Sequence, residues 1–287
     1  RQGGCEAGYG SDLDVMFVHN PAEGISSDEA TRFAVEVAKA LISFMKMPTR
    51  PPIVLEPVLE IDADLRPEGR RGPLARSLDS YKAYYEQWAD TWEIQALLKA
   101  RPVAGPRYLR QAFVEWADSV RYTHGLNAVQ AQAIRRMKAR VESERLPRGA
   151  DPTRHLKLGR GGLTDVEWLT QTLQLRYAPD YPELRTTNTL EALHAAKEAE
   201  LLDPADADIL IEAWSFATRI RSGILISTAK SSDVLPTNRE QLEALARWTG
   251  YEAGEVGEFE DDYLRITRHA RTVFERVFYG VVEKRQV

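Results

Sequence analysis

The sequence has a single cysteine, Cys5, among 287 residues, so no internal disulfide can form and nothing requires an oxidising compartment. No uninterrupted apolar run approaches the roughly 20 residues that cross a bilayer. The 38 Lys and Arg residues are outnumbered by 43 Asp and Glu residues, and a net charge of -5 argues against a chain whose main role is to coat nucleic acid. We therefore expect a cytoplasmic protein, without a membrane association, for which nucleic acid is not the expected partner.

The signatures of several common catalytic sites are also missing. No G-x-x-x-x-G-K-[ST] segment occurs, and the glycine-rich residues 159–162 follow no strand pattern, which argues against a P-loop and a dinucleotide fingerprint. The five histidines and one cysteine show no zinc spacing. No G-x-S-x-G segment marks a hydrolase nucleophile. The chemistry must therefore rest on other residues.

Residues 1 to about 66 carry the only clear strand patterns in the chain. One covers residues 12–18, and the other covers residues 59–65, where apolar and acidic residues alternate. Between them an amphipathic helix begins near Ser27, and its apolar residues recur at helical spacing. Because the chain starts with Arg and a glycine-rich segment follows at once, we expect it to be part of a longer protein.

From about residue 78 onward the pattern is almost entirely helical. The first long helix is predicted over residues 79–101, ended by Pro102. Further helices are predicted over residues 107–123, 127–145, 164–177, 189–200, 205–228, 238–249 and 255–285. We expect an α+β fold that is mostly α, with a small mixed-sheet domain over residues 1–125 and a helical bundle over residues 126–287.

Two carboxylates in the first strand pattern form the strongest functional signal. Asp12 and Asp14 are two residues apart, so on a strand both side chains point to the same face. Carboxylates this close repel each other unless cations lie between them, and Mg²⁺ prefers hard oxygen ligands completed by substrate phosphates. The glycines Gly3 and Gly4, just upstream, would let the backbone approach a phosphate without a Cβ in the way.

A third acid on the second strand would complete a two-metal site for in-line transfer at phosphorus. Three residues on one face of that strand are candidates: Glu60, Asp62 and Asp64. The alternative is that Asp12 is a turn residue and that the acids of the second strand form a solvated face. The combination of the glycine pair, the β pattern and two acidic strands favours the metal site.

Four ordered segments resemble those of the glutamine synthetase adenylyltransferases, which belong to the polymerase-β nucleotidyltransferase superfamily. The segments are residues 3–14 (G-G-C-E-A-G-Y-G-S-D-L-D), 61–69 (I-D-A-D-L-R-P-E-G), 92–101 (W-E-I-Q-A-L-L-K-A-R) and 157–168 (K-L-G-R-G-G-L-T-D-V-E-W). The family patterns are G-G-x-E-L-x-x-x-S-D-x-D, V-D-x-R-L-R-P-x-G, W-E-x-x-A-L-x-K-A-R and K-x-G-x-G-G-I-x-[DE]-I-E-F. Asp64 departs from the arginine of the second pattern, which puts a local phosphate contact in doubt.

The resemblance implies a polymerase-β-like catalytic domain in which Asp12, Asp14 and Asp62 are catalytic and hold two Mg²⁺ ions, with ATP as the substrate. Asp62 falls on the family's third carboxylate. The resemblance and the local residues together name these nucleotide-binding candidates: Gly3, Gly4, Ser11, Arg66, Arg70, Lys99 and Arg101. For the arginines near Gly69, simple surface charge is the alternative. For Lys99 and Arg101, the alternative is the preference for cations at a helix C-terminus.

The implied reaction is transfer of AMP from ATP to a tyrosine of glutamine synthetase with release of pyrophosphate, regulating nitrogen assimilation. Bifunctional members of the family carry two catalytic halves, and Thr164-Asp165 is similar to the C-terminal, adenylylating half. Three alternatives stay open: phosphorolytic removal of AMP, transfer to another acceptor, and a non-catalytic regulatory module. A PII-type nitrogen-signalling protein is a further expected partner.

Overall fold

The computed structural model describes residues 2–8, 11–47 and 60–280, which contain ten α-helices and four short β-strands. The mostly helical α+β class is therefore confirmed. The chain divides into two compact units, the first ending at Thr123 and the second beginning at His124. The domain boundary predicted from the sequence lies between residues 125 and 126.

The first unit contains all four strands and four helices. Its elements are β1 (Leu13–Asp14), β2 (Phe17–His19), α1 (Ser27–Met45), β3 (Ile61–Asp62), β4 (Ala75–Ser77), α2 (Leu78–Gln87), α3 (Thr91–Leu97) and α4 (Arg107–Arg121). Two parallel pairs form, β1 with β3 and β2 with β4.

The strand predicted over residues 12–18 is thus two short strands, each paired with a different partner. The strand predicted over 59–65 is described from residue 60 onward and pairs only over Ile61–Asp62. Strand β4 was missed, because it lies in a stretch whose glycines and arginines predict a loop. Parallel strands pair through residues that are far apart in sequence. Strands of two or three residues are also too short to show a clear alternating pattern, so the local sequence does not predict them.

The single helix predicted over residues 79–101 is wrong. The chain forms α2 and α3, separated near Asp90. The backbone N–H of Asp90 donates a hydrogen bond to Glu93 Oε2 at 2.8 Å, which closes a capping box and starts a new helix. Helix α3 ends at Leu97, so Lys99 and Arg101 lie beyond a helix instead of in its last turn.

The core of the first unit lies between α2, α3 and α4. Its buried members are Leu78, Tyr81, Leu97, Phe113, Trp116 and Ala117, with Met16 and Val18 packed against them. Helix α1 forms as predicted and lies against β2 and β4, but several of its apolar side chains are exposed, including Phe33, Val37 and Phe44. The apolar spacing therefore predicts the helix correctly without saying what its apolar face contacts.

The second unit is a helical bundle. Its helices are α5 (Ala128–Glu144), α6 (Leu163–Tyr177), α7 (Thr189–Glu198), α8 (Pro204–Thr228), α9 (Arg239–Thr249) and α10 (Val256–Gly280). They are close to the predicted spans, and residues 281–285 of the last predicted helix lie outside the described residues. A buried cluster from α8, α9 and α10 forms a large part of its core; examples are Ile220, Leu245 and Phe259. None of the helices in the described part of the chain is both long and apolar enough to cross a membrane.

Candidate active site

The pairing of β1 with β3 brings acids from distant parts of the sequence together. In this register Asp14 lies directly opposite Asp62. The backbone N–H of Leu13 donates to the carbonyl of Glu60, and that of Val15 donates to the carbonyl of Asp62, both at 2.8 Å. Residues opposite each other in a sheet place their side chains on the same face. Asp14 and Asp62 therefore share one face of the strand pair.

Asp12 lies directly before Leu13, the first residue of β1, and outside the strand itself. The side chains of Asp12, Asp14 and Asp62 are all exposed to solvent. The pairing of β1 with β3 thus brings one acid from each of the two acidic patterns together. It also leaves the acids accessible to a ligand, which a buried set would not be.

The carboxylate of Asp62 is oriented by its own loop. The backbone N–H of Asp64 donates to Asp62 Oδ1 at 2.7 Å, so Oδ2 is the oxygen best placed to meet a ligand. A carboxylate fixed in this way loses less freedom when it binds a metal or accepts a proton. Of the three acids proposed on this strand, Asp62 is the one that faces Asp14 across the pair.

Asp64, where the family pattern has arginine, holds another arginine instead. Its Oδ2 lies 2.7 Å from Nε of Arg70. The hydrogen bond to Asp64, its negative charge and the charge of Asp62 raise the pKa of Arg70. The guanidinium thus stays charged at the surface beside two acids, where it can meet a phosphate.

Arg66 lies in the same loop but has a different role. Its guanidinium donates to the carbonyl of Ala63 at 2.7 Å and to the carbonyl of Gly72 at 3.1 Å, and its side chain is largely buried. These bonds close the loop that follows β3. Arg76 of β4, paired with Glu68, ties the loop at a second point. Sequence reasoning identified the basic loop without predicting that Arg66 and Arg76 brace it.

The donor set fits a hard divalent cation. Asp14 and Asp62 offer carboxylate oxygens on one exposed face, the ligand type that Mg²⁺ takes when substrate phosphates and water complete its shell. Within the described ranges, no three His, Cys, Asp or Glu side chains converge closely enough to hold an ion by themselves. A site that relies on phosphate oxygens for part of its shell is consistent with both observations.

Residues 3–6, which we call the glycine segment, are anchored to the residues that follow α3. Lys99 Nζ lies 2.8 Å from Glu6 Oε2, and Arg101 Nε donates to the carbonyl of Gly3 at 2.7 Å. Gly4 is buried. Four of the predicted nucleotide-binding residues therefore form one group: Gly3, Gly4, Lys99 and Arg101.

In the sequence Ser11 comes between this group and the acids, and its backbone N–H donates to the carbonyl of Gly8 at 3.1 Å. Residues 9 and 10, within the same motif, lie outside the described residues. Glu6 was not among the predicted site residues, although it occupies the glutamate position of the first family pattern. The glutamate of that pattern is the sequence signal that could have identified Glu6.

The fourth motif has a different environment from the first three. Asp165, in α6, is 1% exposed and accepts the backbone N–H of Gly161 at 2.7 Å. Lys138 Nζ lies 2.5 Å from Asp165 Oδ1, and Arg271 Nη1 lies 3.0 Å from Oδ2. Glu142 pairs with both cations. These four residues form a charge cluster in the second unit in which Lys138 and Asp165 are buried, so Asp165 serves the fold and is not open to a substrate.

Each of the two units contains a segment that matches a known family model. Residues 1–116 match the family model described as glutamate-ammonia ligase adenylyltransferase. Residues 135–278 match the model described as GlnD PII-uridylyltransferase. The second match covers the helical unit, which carries the fourth motif.

Three relatives carry the name bifunctional glutamine synthetase adenylyltransferase/adenylyl-removing enzyme. The chain is 51% identical to the protein of Streptomyces avermitilis and 50% identical to that of Mycolicibacterium smegmatis, in each case over 98% of the chain. It is 49% identical to that of Mycobacterium tuberculosis over 97% of the chain. In each case it spans 28% of the relative's length. The resemblance seen in the four motifs is confirmed, and the chain belongs to the family of bifunctional glutamine synthetase adenylyltransferase/adenylyl-removing enzymes.

Proposed function

We propose that this chain transfers AMP from ATP to a tyrosine hydroxyl of glutamine synthetase and releases pyrophosphate. The observation that carries the proposal is the register of β1 and β3, which places exposed Asp14 opposite exposed Asp62, with exposed Asp12 directly before β1. The names of the relatives supply the acceptor protein. A cytoplasmic location is part of the same proposal.

Asp62 would accept the proton of the tyrosine hydroxyl. A free phenol has a pKa of about 10 and is a weak nucleophile at neutral pH, so a nearby carboxylate is needed to take the proton as the bond forms. The phenolic oxygen attacks the α-phosphorus in line, the bond from that phosphorus to the bridging oxygen of the β-phosphate breaks, and pyrophosphate leaves. The hydrogen bond from the Asp64 N–H keeps the Asp62 carboxylate oriented during this step.

Asp12, Asp14 and Asp62 would hold two Mg²⁺ ions, which when bound neutralise phosphate charge and orient the reacting groups. Arg70, held beside the acids by Asp64, would meet a phosphate oxygen with its exposed guanidinium. Gly3 and Gly4 would seat the triphosphate. A PII-type protein is proposed as a regulatory partner of the helical unit, since that unit matches the PII-uridylyltransferase model.

The reverse direction is the second candidate, because the relatives' names contain both activities. The residues that favoured the adenylylating half are Thr164 and Asp165. Asp165 is buried in its charge cluster, and the Thr164 hydroxyl donates to the backbone carbonyl of Lys157. Both residues can distinguish the adenylylating half from the removing half without contacting the substrate. The direction of the reaction must therefore be decided by product analysis.

The test measures the intact mass of unmodified glutamine synthetase after incubation with this chain, ATP and Mg²⁺, with pyrophosphate assayed in parallel. We expect a gain of one AMP per modified subunit with matching pyrophosphate. Asp79→Asn, in an exposed acid of α2 paired with Lys82, is the matched control for Asp62→Asn and should retain transfer. Loss of AMP from pre-modified enzyme only when phosphate is supplied would replace the proposal by the removing reaction. No change in either direction would overturn glutamine synthetase as the acceptor.

A further inference from the structure

The contacts that hold the glycine segment suggest a role for Lys99 that differs from phosphate binding. The side chains of Lys99 and Glu6 are only 13% and 6% exposed, and their charged atoms lie 2.8 Å apart. A cation paired with a carboxylate away from water presents little net charge to a phosphate, and separating the pair would remove a charged partner from a largely buried carboxylate. The position of Lys99 therefore favours an action on the segment itself.

Packing of the backbone supports the same conclusion. A Cβ placed on Gly3 would lie 1.8 Å from the carbonyl oxygen of Lys99, so only glycine lets the segment approach this closely. Arg101 holds the segment a second time, donating from Nε to the Gly3 carbonyl and from Nη2 to Cys5 Sγ at 3.6 Å. The glycine at position 3 thus has a packing reason that is independent of any phosphate.

The segment also contains a strained residue. Cys5 has a φ of 58°, in the left-handed region. This conformation is unfavourable for a non-glycine residue, and it persists where surrounding contacts fix the backbone. Here the fixing contacts flank Cys5 on both sides, at Gly3 and at Glu6.

We propose that Lys99 is a positioning residue: through Glu6, and together with Arg101, it fixes the glycine segment in the shape that receives the triphosphate. The inference rests on the proposed function for the identity of the ligand and adds how the first and third motifs are connected. In this inference the end of the third motif, Lys99 and Arg101, contacts the first motif instead of the nucleotide.

A double-mutant cycle separates this role from direct phosphate binding. The variants are Glu6→Gln, Lys99→Met and the two combined, with KM for ATP and kcat measured for each. We expect each single change to raise KM about tenfold, the loss of roughly one hydrogen bond to a charged group, with a smaller effect on kcat. The combined variant should raise KM about tenfold as well, because the two residues act through one contact.

Two further variants serve as controls. Lys99→Arg keeps the pairing with Glu6, so its KM for ATP should stay close to that of the unmodified chain. Lys82→Met removes an exposed lysine of α2 and should change neither KM nor kcat. An unchanged KM in Glu6→Gln beside a large increase in Lys99→Met would overturn the inference in favour of direct phosphate binding. Effects that multiply in the combined variant would overturn it too.

The single cysteine gives a readout that needs no nucleotide. Cys5 lies inside the anchored segment, so the rate at which its thiol reacts with a disulfide reagent reports how firmly the segment is held. We expect the two single variants and the combined variant to increase this rate by the same factor. If glutamine synthetase were not the acceptor, the proposed function would fail while this rate still decided the inference: no change in rate in any variant would overturn it.

Discussion

The two units each contain glycines followed by an aspartate, yet they use this combination in opposite ways. In the first unit the glycines at 3 and 4 precede Asp12 and Asp14, which remain exposed on a strand pair. In the second unit the glycine turn at 159–162 precedes Asp165, which is buried and contacts two cations. The residue types are the same, but the aspartates of the first unit are exposed to solvent, whereas Asp165 is buried and paired with cations.

The two units differ in the charged groups that surround these aspartates. Asp165 is compensated by Lys138 and Arg271 within the fold, and these cations are in turn shared with Glu142. Asp14 and Asp62 lie opposite each other across a strand pair, where two like charges repel, and a cation bound between them would reduce that repulsion.

The largest expected effect concerns transfer. Asp62→Asn removes the carboxylate charge but preserves the shape of the side chain, so we expect transfer to fall on the order of 10³-fold. The free energy of unfolding should change by about 0.5 kcal/mol or less, as for other exposed positions. Progress curves of AMP transfer and urea unfolding check the two statements; near-parental turnover would remove Asp62 from the catalytic assignment.

The next effect concerns stability. Asp165→Ala leaves Lys138 buried with Glu142 as its remaining partner in the cluster and removes the acceptor of the Gly161 N–H. We expect a loss of about 3 kcal/mol in the free energy of unfolding, the lower end for a broken buried pair. Chemical denaturation followed by circular dichroism measures it. A loss below about 1 kcal/mol would show that the buried cluster contributes little to the fold.

A smaller effect is expected at the glycine turn. Gly161 has a φ of 72°, and a Cβ there would lie 1.8 Å from the backbone oxygen of Thr267. Gly161→Ala must therefore displace α10 as well as adopt an unfavourable φ, and we expect a cost of about 2 kcal/mol or more. Gly149 is the matched control, with a φ of 81° and nothing within 4 Å of its Cβ. Gly149→Ala should cost only about 1 kcal/mol, and equal losses would contradict the tight packing at Gly161.

The smallest effect is a difference in pH dependence between the units. Burial alone raises the pKa of Glu142, but hydrogen bonds from Lys138 and Arg271 outweigh it, so the pKa lies below its ordinary value. In Glu93 of the first unit, burial raises the pKa above its ordinary value. The stability that Glu142 contributes is present above its unfolded pKa and lost as pH falls through the lower folded value. For Glu93 it is present below the unfolded pKa and lost as pH rises through the higher folded value.

Thermal midpoints measured between about pH 3 and 6 test this difference. Glu142→Gln should reduce the loss of stability on acidification. Glu93→Gln keeps a side chain that can close the capping box and should steepen that loss, because it removes a contribution of opposite sign. Identical pH profiles for the two variants would contradict the assigned directions.

The sequence predicts what is encoded locally and misses what depends on distant residues. Helices of the second unit follow from apolar spacing and end within a few residues of their predicted bounds. The break between α2 and α3 was readable as the capping box Asp90-x-x-Glu93, but the continuous apolar pattern hid it. Strand β4 depends on pairing with β2, which is far away in sequence, and the local sequence of Ala75–Ser77 does not predict a strand.

The candidate site shows the same division. Asp12 and Asp14 follow from spacing alone, and Asp62 follows from the family pattern, which the register of β1 and β3 then explains. The bracing role of Arg66 and the pairing of Lys99 with Glu6 could not be predicted, because both depend on which groups lie within hydrogen-bonding distance after folding.

The most direct test of the contrast between the units is where a divalent cation binds. Amide NMR signals of the chain can be recorded with ATP while paramagnetic Mn²⁺ replaces Mg²⁺. We predict broadening centred on β1 and β3, and loss of the broadening in Asp62→Asn. Broadening centred on the second unit, or unchanged broadening in Asp62→Asn, would contradict the assignment of the exposed acids to chemistry.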